Sequence, residues 1–205
     1  MPSYPSAPAG TVFTSEDRIL THLDGHPMAM RPDNVLTGHY NKLEVEAGSG
    51  IAGIAETYKA GVIQMGPLVW TSIFIDLTGL NSNAAGDIIG DDGEANCHLG
   101  KITVARNGTL IGGRMSCLET PTGGEPDIDL YSAVESTGTE DAAITGLDET
   151  ALLAAAADWT GATAPKGLTG LPADGEFLYL VGSGDGTNAT YTAGKFLIEF
   201  WGYSA

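Results

Sequence analysis

The last two thirds of the chain alternate apolar and polar residues in short runs, which is the pattern of β-strands. In LVWTSIFIDL (68–77), one face collects Val69, Thr71, Ile73, Ile75 and Leu77, and the other collects Trp70, Ser72, Phe74 and Asp76. The same period recurs in IDLYSAV (128–134), EFLYLVG (176–182) and GKFLIEFWGY (194–203). The last run places Phe196, Ile198 and Phe200 inward, and Lys195 and Glu199 outward. We therefore predict a strand in each run, with the β-branched face of 68–77 buried.

A β-hairpin is predicted in KITVARNGTLIGGRMSCL (101–118), where two β-prone runs flank Asn107-Gly108. This dipeptide tolerates the positive φ angles of a type I′ turn. With the hairpin, the chain has at least six strands.

The same hairpin bears on the two cysteines of the chain. A two-residue turn at 107–108 would place Cys97 opposite Leu118 and Cys117 opposite His98, so the thiols would point to opposite faces. A bulge at Gly112-Gly113 would shift the register by one residue and bring the thiols together. We expect free thiols, buried or half-buried, with a disulfide as the alternative.

One segment has a helical composition. LDETALLAAAADW (147–159) is rich in alanine, and Thr145 or Asp148 is available as an N-cap. We predict a short helix there. A strand of small residues packed against a neighbour is the alternative.

Residues 1–65 differ from the rest, because prolines interrupt them and apolar residues occur singly. They predict an extended N-terminal arm followed by a connection, in which EAGSGIAGIAETYKAG (46–61) is irregular rather than helical. With 29 Gly and 10 Pro in 205 residues, the chain is rich in turns. The predicted fold is all-β, a jelly-roll-like antiparallel β-sandwich over 66–205 with the extended arm and at most one or two short helices.

The charge argues against two classes of partner. Twenty-six acidic residues outweigh nine lysines and arginines, for a formal charge of −17. Such a chain repels phosphate backbones and anionic lipid surfaces, so we expect neither a nucleic-acid nor a membrane partner. The first residues, MPSYPSAPAGTVF, have neither the basic region nor the apolar run of a signal peptide, which predicts folding in a cytoplasm.

Candidate chemistry is sparse. His22 and His26 have the spacing of metal ligands on a helix, but Gly25 and Pro27 disfavour a helix there.

The loops 91–94 and 183–186 are acidic but lack the alternating oxygen ligands of an EF-hand loop. We therefore predict solvated turns, with a structural calcium as the alternative. Standard catalytic motifs are missing from the sequence, and a carboxylate pair for glycoside hydrolysis would arise by chance among 26 acids. We predict a non-enzymatic protein without metal or cofactor.

Four aromatic residues are candidates for stacking on a sugar, namely Trp70, Trp159, Trp201 and Tyr203. Trp70 and Trp201 lie inside predicted strands, where packing or a subunit interface is the commoner role. We favour that role over sugar binding.

Three long strings carry a family resemblance: IDLTGLNSNAAGDIIG (75–90), NGTLIGGRMSCLETPTGGEPDIDLYSA (107–133) and AGKFLIEFWGY (193–203). They resemble a family of virion-associated proteins of marine and cyanobacterial tailed phages, over roughly residues 65–205. The resemblance implies a capsid decoration or cement protein, assembled in the host cytoplasm, that binds the outside of the assembled head and bridges major capsid protein subunits. A homotrimer fits the usual symmetry of such sites.

The arm supplies the expected contact residues, Tyr4, Val12 and Phe13, which we expect to touch the capsid or a neighbouring subunit. The alternative function is a tail- or fibre-associated carbohydrate-binding jelly-roll module.

Overall fold

The computed structural model describes residues 19–23, 26–30, 45–53, 58–155, 157–184 and 186–204. The chain divides into two units, Met1–Tyr40 and Asn41–Ala205. In the first unit, β1 (Ile19–Leu23) and β2 (His26–Met30) pair antiparallel, with Leu23 opposite His26, so this part of the predicted extended arm is a hairpin. Tyr4, Val12 and Phe13 lie outside the described residues.

The second unit is built from antiparallel strands. Their bounds are β3 (Tyr58–Met65), β4 (Leu68–Asp76), β5 (Asn81–Ser82), β6 (Thr109–Thr122), β7 (Ile128–Ala133), β8 (Glu149–Leu153), β9 (Lys166–Gly167), β10 (Phe177–Gly182), β11 (Ala189–Thr190) and β12 (Ala193–Tyr203). The larger sheet has five strands in the order β3-β4-β12-β6-β9, and a second sheet has the order β10-β7-β8. β5 and β11 pair separately.

One hydrophobic core lies between these two sheets. The five-stranded sheet contributes Ile73, Met115 and Ile198, and the three-stranded sheet contributes the facing pair Leu130 and Leu180. All five side chains are at most 1% exposed. The all-β prediction is therefore confirmed for the described residues, which contain two one-turn α-helices, α1 (Ser49–Ala52) and α2 (Val104–Asn107), and one 3-10 turn (Ile144–Gly146). The jelly-roll strand order stays a prediction.

In the three-stranded sheet, β7 and β10 are buried on both faces, whereas β8 has exposed residues at Thr150 and Ala151. A second apolar cluster covers the side away from the main core and includes Ile88, Cys97, Ile144, Tyr179 and Val181. This explains why β10 is almost continuously apolar, since a strand covered on both sides has no solvent-facing positions.

The predicted hairpin at Asn107-Gly108 is wrong. Residues 104–107 form α2, which Thr103 caps by accepting a hydrogen bond from the Arg106 backbone N–H. Gly108 has φ 70°, and this positive φ ends the helix and leads into β6. Only Gly108 of the dipeptide has the predicted positive φ, and the backbone uses it to end a helix instead of to form a hairpin turn.

The predicted helix over 147–159 is also wrong. Residues 149–153 form β8, paired antiparallel with β7. Leu152 and Leu153 are buried in the main core, and this packing outweighs the helix propensity of the alanines. The alternative of a strand packed against a neighbour is the observed one.

The larger sheet begins before the boundary predicted at residue 65. β3 pairs with β4 over its full length, from Tyr58 opposite Ile75 to Met65 opposite Leu68. Val45 and Ile51 are also in the main core, and Ile51 lies in α1, within the segment predicted to be irregular. Residues 45–53 and 58–65 thus belong to the sandwich.

Candidate interaction surface

The five-stranded sheet has an apolar face that points away from the core, called here the outer face. Residues that lie opposite each other in antiparallel strands share a face. Trp70 lies opposite both Trp201 and Ile63, and Phe74 lies opposite Leu197. The alternate residues of β4, from Val69 to Ile75, are buried against the core, so these aromatic side chains necessarily face outward.

One end of the outer face is open to solvent. Leu68 lies opposite both Met65 and Tyr203, and their exposed fractions are 51%, 51% and 44%. Trp70 and Trp201 are half-buried beside them. Contiguous exposed apolar side chains of this kind mark interaction sites on soluble proteins.

An ion pair adjoins the tryptophans. Arg114 lies opposite Glu199 in the sheet, and its Nε donates to Glu199 Oε2. The Arg114 guanidinium also lies 5.7 Å from the Trp201 ring centroid. Glu199 faces outward as predicted but is only 3% exposed, which the sequence pattern did not indicate. Glu199 raises the pKa of Arg114 through its hydrogen bond and its charge.

A second charged group lies further along β12. Lys195 Nζ is 2.6 Å from Glu119 Oε2 and 3.7 Å from Asp76 Oδ2. Across the outer face the described bases are Lys59, Arg114 and Lys195, and the described acids are Asp76, Glu119 and Glu199. The face is therefore balanced in charge, although the whole chain carries −17.

The four aromatic residues that the sequence offered for sugar stacking lie in two different environments. Trp159 is fully buried, its Nε1 donates to the Ile128 carbonyl at 2.8 Å, and Lys166 lies over its ring. Trp70, Trp201 and Tyr203 share the outer face. Trp70 Nε1 is buried without a hydrogen-bond partner among the described residues.

The two acidic loops donate backbone N–H groups to carboxylates from other parts of the chain. The Gly93 N–H donates to Glu140, and the Gly186 N–H donates to Glu125, which also accepts from the N–H groups of Asp127 and Thr187. Within the described ranges, no group of three or more His, Cys, Asp and Glu side chains has the geometry of a metal site.

Both cysteines are free and buried, as expected. The two thiols are apart because Cys117 packs in the main core and Cys97 packs in the second cluster. The predicted hairpin register does not explain their separation, since the hairpin does not form. Burial raises the pKa of Cys97 to about 11. Burial also raises the pKa of Cys117, and raised pKa values disfavour the reactive thiolate form of both cysteines.

Comparisons with protein-family models, with curated proteins and with solved structures found no match to this chain. Over the residues that the structure describes, no helix has the length and apolar character needed to cross a membrane.

Proposed function

We propose that this protein is a non-enzymatic structural protein of a phage virion, a decoration protein that binds the outside of the assembled head and bridges major capsid protein subunits. The observation that carries the proposal is the outer face, an aromatic surface of balanced charge on an acidic chain. Aromatic residues, methionine and arginine are the types enriched at protein interfaces. Trp70, Trp201, Tyr203, Met65 and Arg114 supply all three here.

The charge balance of the outer face supports a protein partner. Surfaces of like charge repel each other, and a face of low net charge avoids that repulsion whatever the charge of the partner. Arg114 and Lys195 already have carboxylate partners within the face. Burying the face against a partner therefore does not strand those two charges.

The mechanism is stabilisation by mass action. A protein that binds only the assembled lattice, and not free subunits, favours the assembled state. Each copy that spans two subunits adds its binding free energy to the contact between them. We propose a homotrimer as the bound form, with the virion exterior as its location.

The first experiment measures the number of copies in purified virions by quantitative mass spectrometry. A copy number comparable with that of the capsid subunits supports decoration, whereas one comparable with tail components overturns it. Native mass spectrometry of the purified protein tests the trimer.

A binding assay tests the surface itself. Heads that lack the protein are incubated with the wild type or with the double variant Met65→Asp, Leu68→Asp. We expect head binding at least tenfold weaker for the double variant, about 1.4 kcal/mol. Val134→Asp is the matched control, since Val134 is 55% exposed but outside the outer face. Equal weakening by Val134→Asp would contradict a role for this face.

The arm residues Tyr4, Val12 and Phe13 remain a prediction for a second contact. The triple alanine variant should weaken head binding at least tenfold with little change in melting temperature. Unchanged binding would remove the arm from the proposal.

A carbohydrate-binding module of the tail or fibres is the second candidate, favoured by the placement of Trp70, Trp201 and Tyr203 on one face. Aromatic side chains on an exposed sheet stack on sugar rings, and the neighbouring ion pair offers hydrogen-bond partners. Quenching or a shift of tryptophan fluorescence by oligosaccharides, together with a tail-like copy number, would support this function over decoration.

A further inference from the structure

A cleft of about 350 Å³ lies apart from the residues of the outer face. Its walls come from residues 46–49, from the segment 96–101, from α2 and from the start of β10. The side chains that define its chemistry are Ser49, Asn96, His98, Lys101, Arg106 and Phe177.

Two basic side chains lie together in the cleft, although the protein as a whole is acidic. Lys101 and Arg106 both line it, and among the described residues of its lining the only acidic side chain is Glu46. Three other bases of the described chain have partners: Arg114 and Lys195 pair with carboxylates, and Lys166 Nζ donates to the Ala155 carbonyl. Among the described residues, no carboxylate lies within salt-bridge distance of Lys101 or Arg106.

Neutral donors accompany the two bases. The Gly100 N–H donates to His98 Nδ1 at 3.1 Å, so in the neutral imidazole the proton is on Nε2 and makes that nitrogen a donor. Asn96 donates one amide hydrogen to Ser49 Oγ, which leaves its second amide hydrogen available. Burial lowers the pKa of His98, so the ring is neutral at pH 7.

An aromatic ring forms part of the wall. Phe177 packs against His98 with 4.7 Å between ring centroids and the two ring planes tilted by 55°, and Lys101 Nζ lies 5.3 Å from the Phe177 centroid. His98 and Lys101 thus both contact the same ring. The ring also places an apolar surface beside the donors.

We propose that this cleft is a binding site for a small organic anion, with its phosphate or carboxylate oxygens held by Lys101 and Arg106. An apolar or flat part of the ligand packs against Phe177. Arginine and lysine are the side chains that recognise such oxygens, through charge-assisted hydrogen bonds. This site is independent of the proposed virion role.

Phenyl phosphate is a suitable probe, because it combines the anion with a flat ring. Binding to the full-length protein is followed by ¹⁵N-HSQC titration at low ionic strength, with phenol and inorganic phosphate as the two half-ligands. We expect the amide signals of Gly48, His98 and Arg106 to shift together with phenyl phosphate. Inorganic phosphate should bind more weakly and phenol should cause no shifts. Shifts scattered over the surface, or none, would overturn the proposal.

Charge variants give a second test. Lys101→Met and Arg106→Gln should each weaken phenyl phosphate binding at least tenfold. Lys59→Gln removes one positive charge outside this cleft. The affinity of this variant for phenyl phosphate should stay within twofold of that of the wild type. Equal losses in all three variants would mean nonspecific attraction and would overturn the site. If a cleft variant does not fold, the titration of the wild type still shows whether phenyl phosphate binds in the cleft.

Discussion

Asn107 donates a hydrogen bond of 2.8 Å from its side-chain Nδ2 to Thr71 Oγ1, and both residues are fully buried. The Asn107 Oδ1 atom accepts from the Thr103 N–H at 2.9 Å. One amide therefore joins the N-cap residue of α2 and the last residue of α2 to β4. An asparagine that would face solvent in a hairpin turn is here a structural link.

Replacement of Asn107 tests that link. Asn107→Ala leaves the Thr71 hydroxyl and the Thr103 N–H without their partner, and buried groups of this kind cost about 1–3 kcal/mol each when unpaired. We expect a loss of about 2–4 kcal/mol in the free energy of unfolding, measured by urea denaturation. Asn188→Ala is the control, because Asn188 is exposed and pairs only with Asn83. Equal losses of stability in the two variants would contradict a structural role for the Asn107 hydrogen bonds.

Gly90 is expected to tolerate no side chain. A Cβ added there would lie 2.3 Å from Cys97 Sγ, so Gly90→Ala forces the second cluster apart. Overpacking of this kind costs about 1–3 kcal/mol. Gly61→Ala is the matched control, because a Cβ at Gly61 meets nothing within 4 Å, and its stability should be unchanged or slightly raised. The double variant Gly90→Ala, Cys97→Ala should lose less than the sum of its single changes, and strict additivity would count against the steric explanation.

Glu140 is expected to lower the free energy of unfolding at neutral pH, and this destabilising contribution should be smaller in mild acid. Burial, followed by the charges of Asp141, Asp92 and Asp87, raises the pKa of this carboxyl above its ordinary 4.5, against the Gly93 N–H, which lowers it. A raised folded-state pKa means that ionised Glu140 costs stability at pH 7. The cost disappears as the pH falls through the folded pKa towards 4.5.

The variant Glu140→Gln keeps an acceptor for Gly93 but cannot ionise. It should unfold at higher urea than the wild type at pH 7, with the difference vanishing near pH 4. Removing any negative charge from this chain relieves some repulsion, so exposed Asp158→Asn measures that background. A gain for Glu140→Gln no larger than the Asp158→Asn gain would refute the burial argument.

Thiol reactivity should depend on folding. Cys97 is 0% exposed and Cys117 is 5% exposed, so neither should react with DTNB within minutes in the native protein. In denaturant without reductant, both should react, because both are free. Titration of fewer than two thiols in denaturant would indicate a disulfide.

Four strands were predictable from the sequence. The runs 68–77, 128–134, 176–182 and 194–203 correspond to β4, β7, β10 and β12. In β4 and β12 mainly one face meets the core, so the period appears directly in the order of apolar and polar residues, whereas β7 and β10 are buried at most positions and are recognised by their apolar, β-prone composition.

Long-range pairing was not predictable in this way. Glu199 and Arg114 are 85 residues apart, and only the placement of β12 beside β6 brings them together. The alanines after Glu149 and the Asn107-Gly108 dipeptide have local preferences that tertiary packing overrides. For the outer face, the sequence indicated that Trp70 and Trp201 are in strands but not that they are neighbours.

The placement of β12 has a consequence for synthesis on the ribosome. β12 lies between β4 and β6 and hydrogen-bonds to both, yet it is translated after every other described strand. Until residues 193–203 leave the exit tunnel, β4 and β6 each have an edge without its final neighbour. The larger sheet therefore closes late, and a nascent chain stalled before residue 193 exposes two apolar strand edges that chaperones, or other nascent chains, can bind.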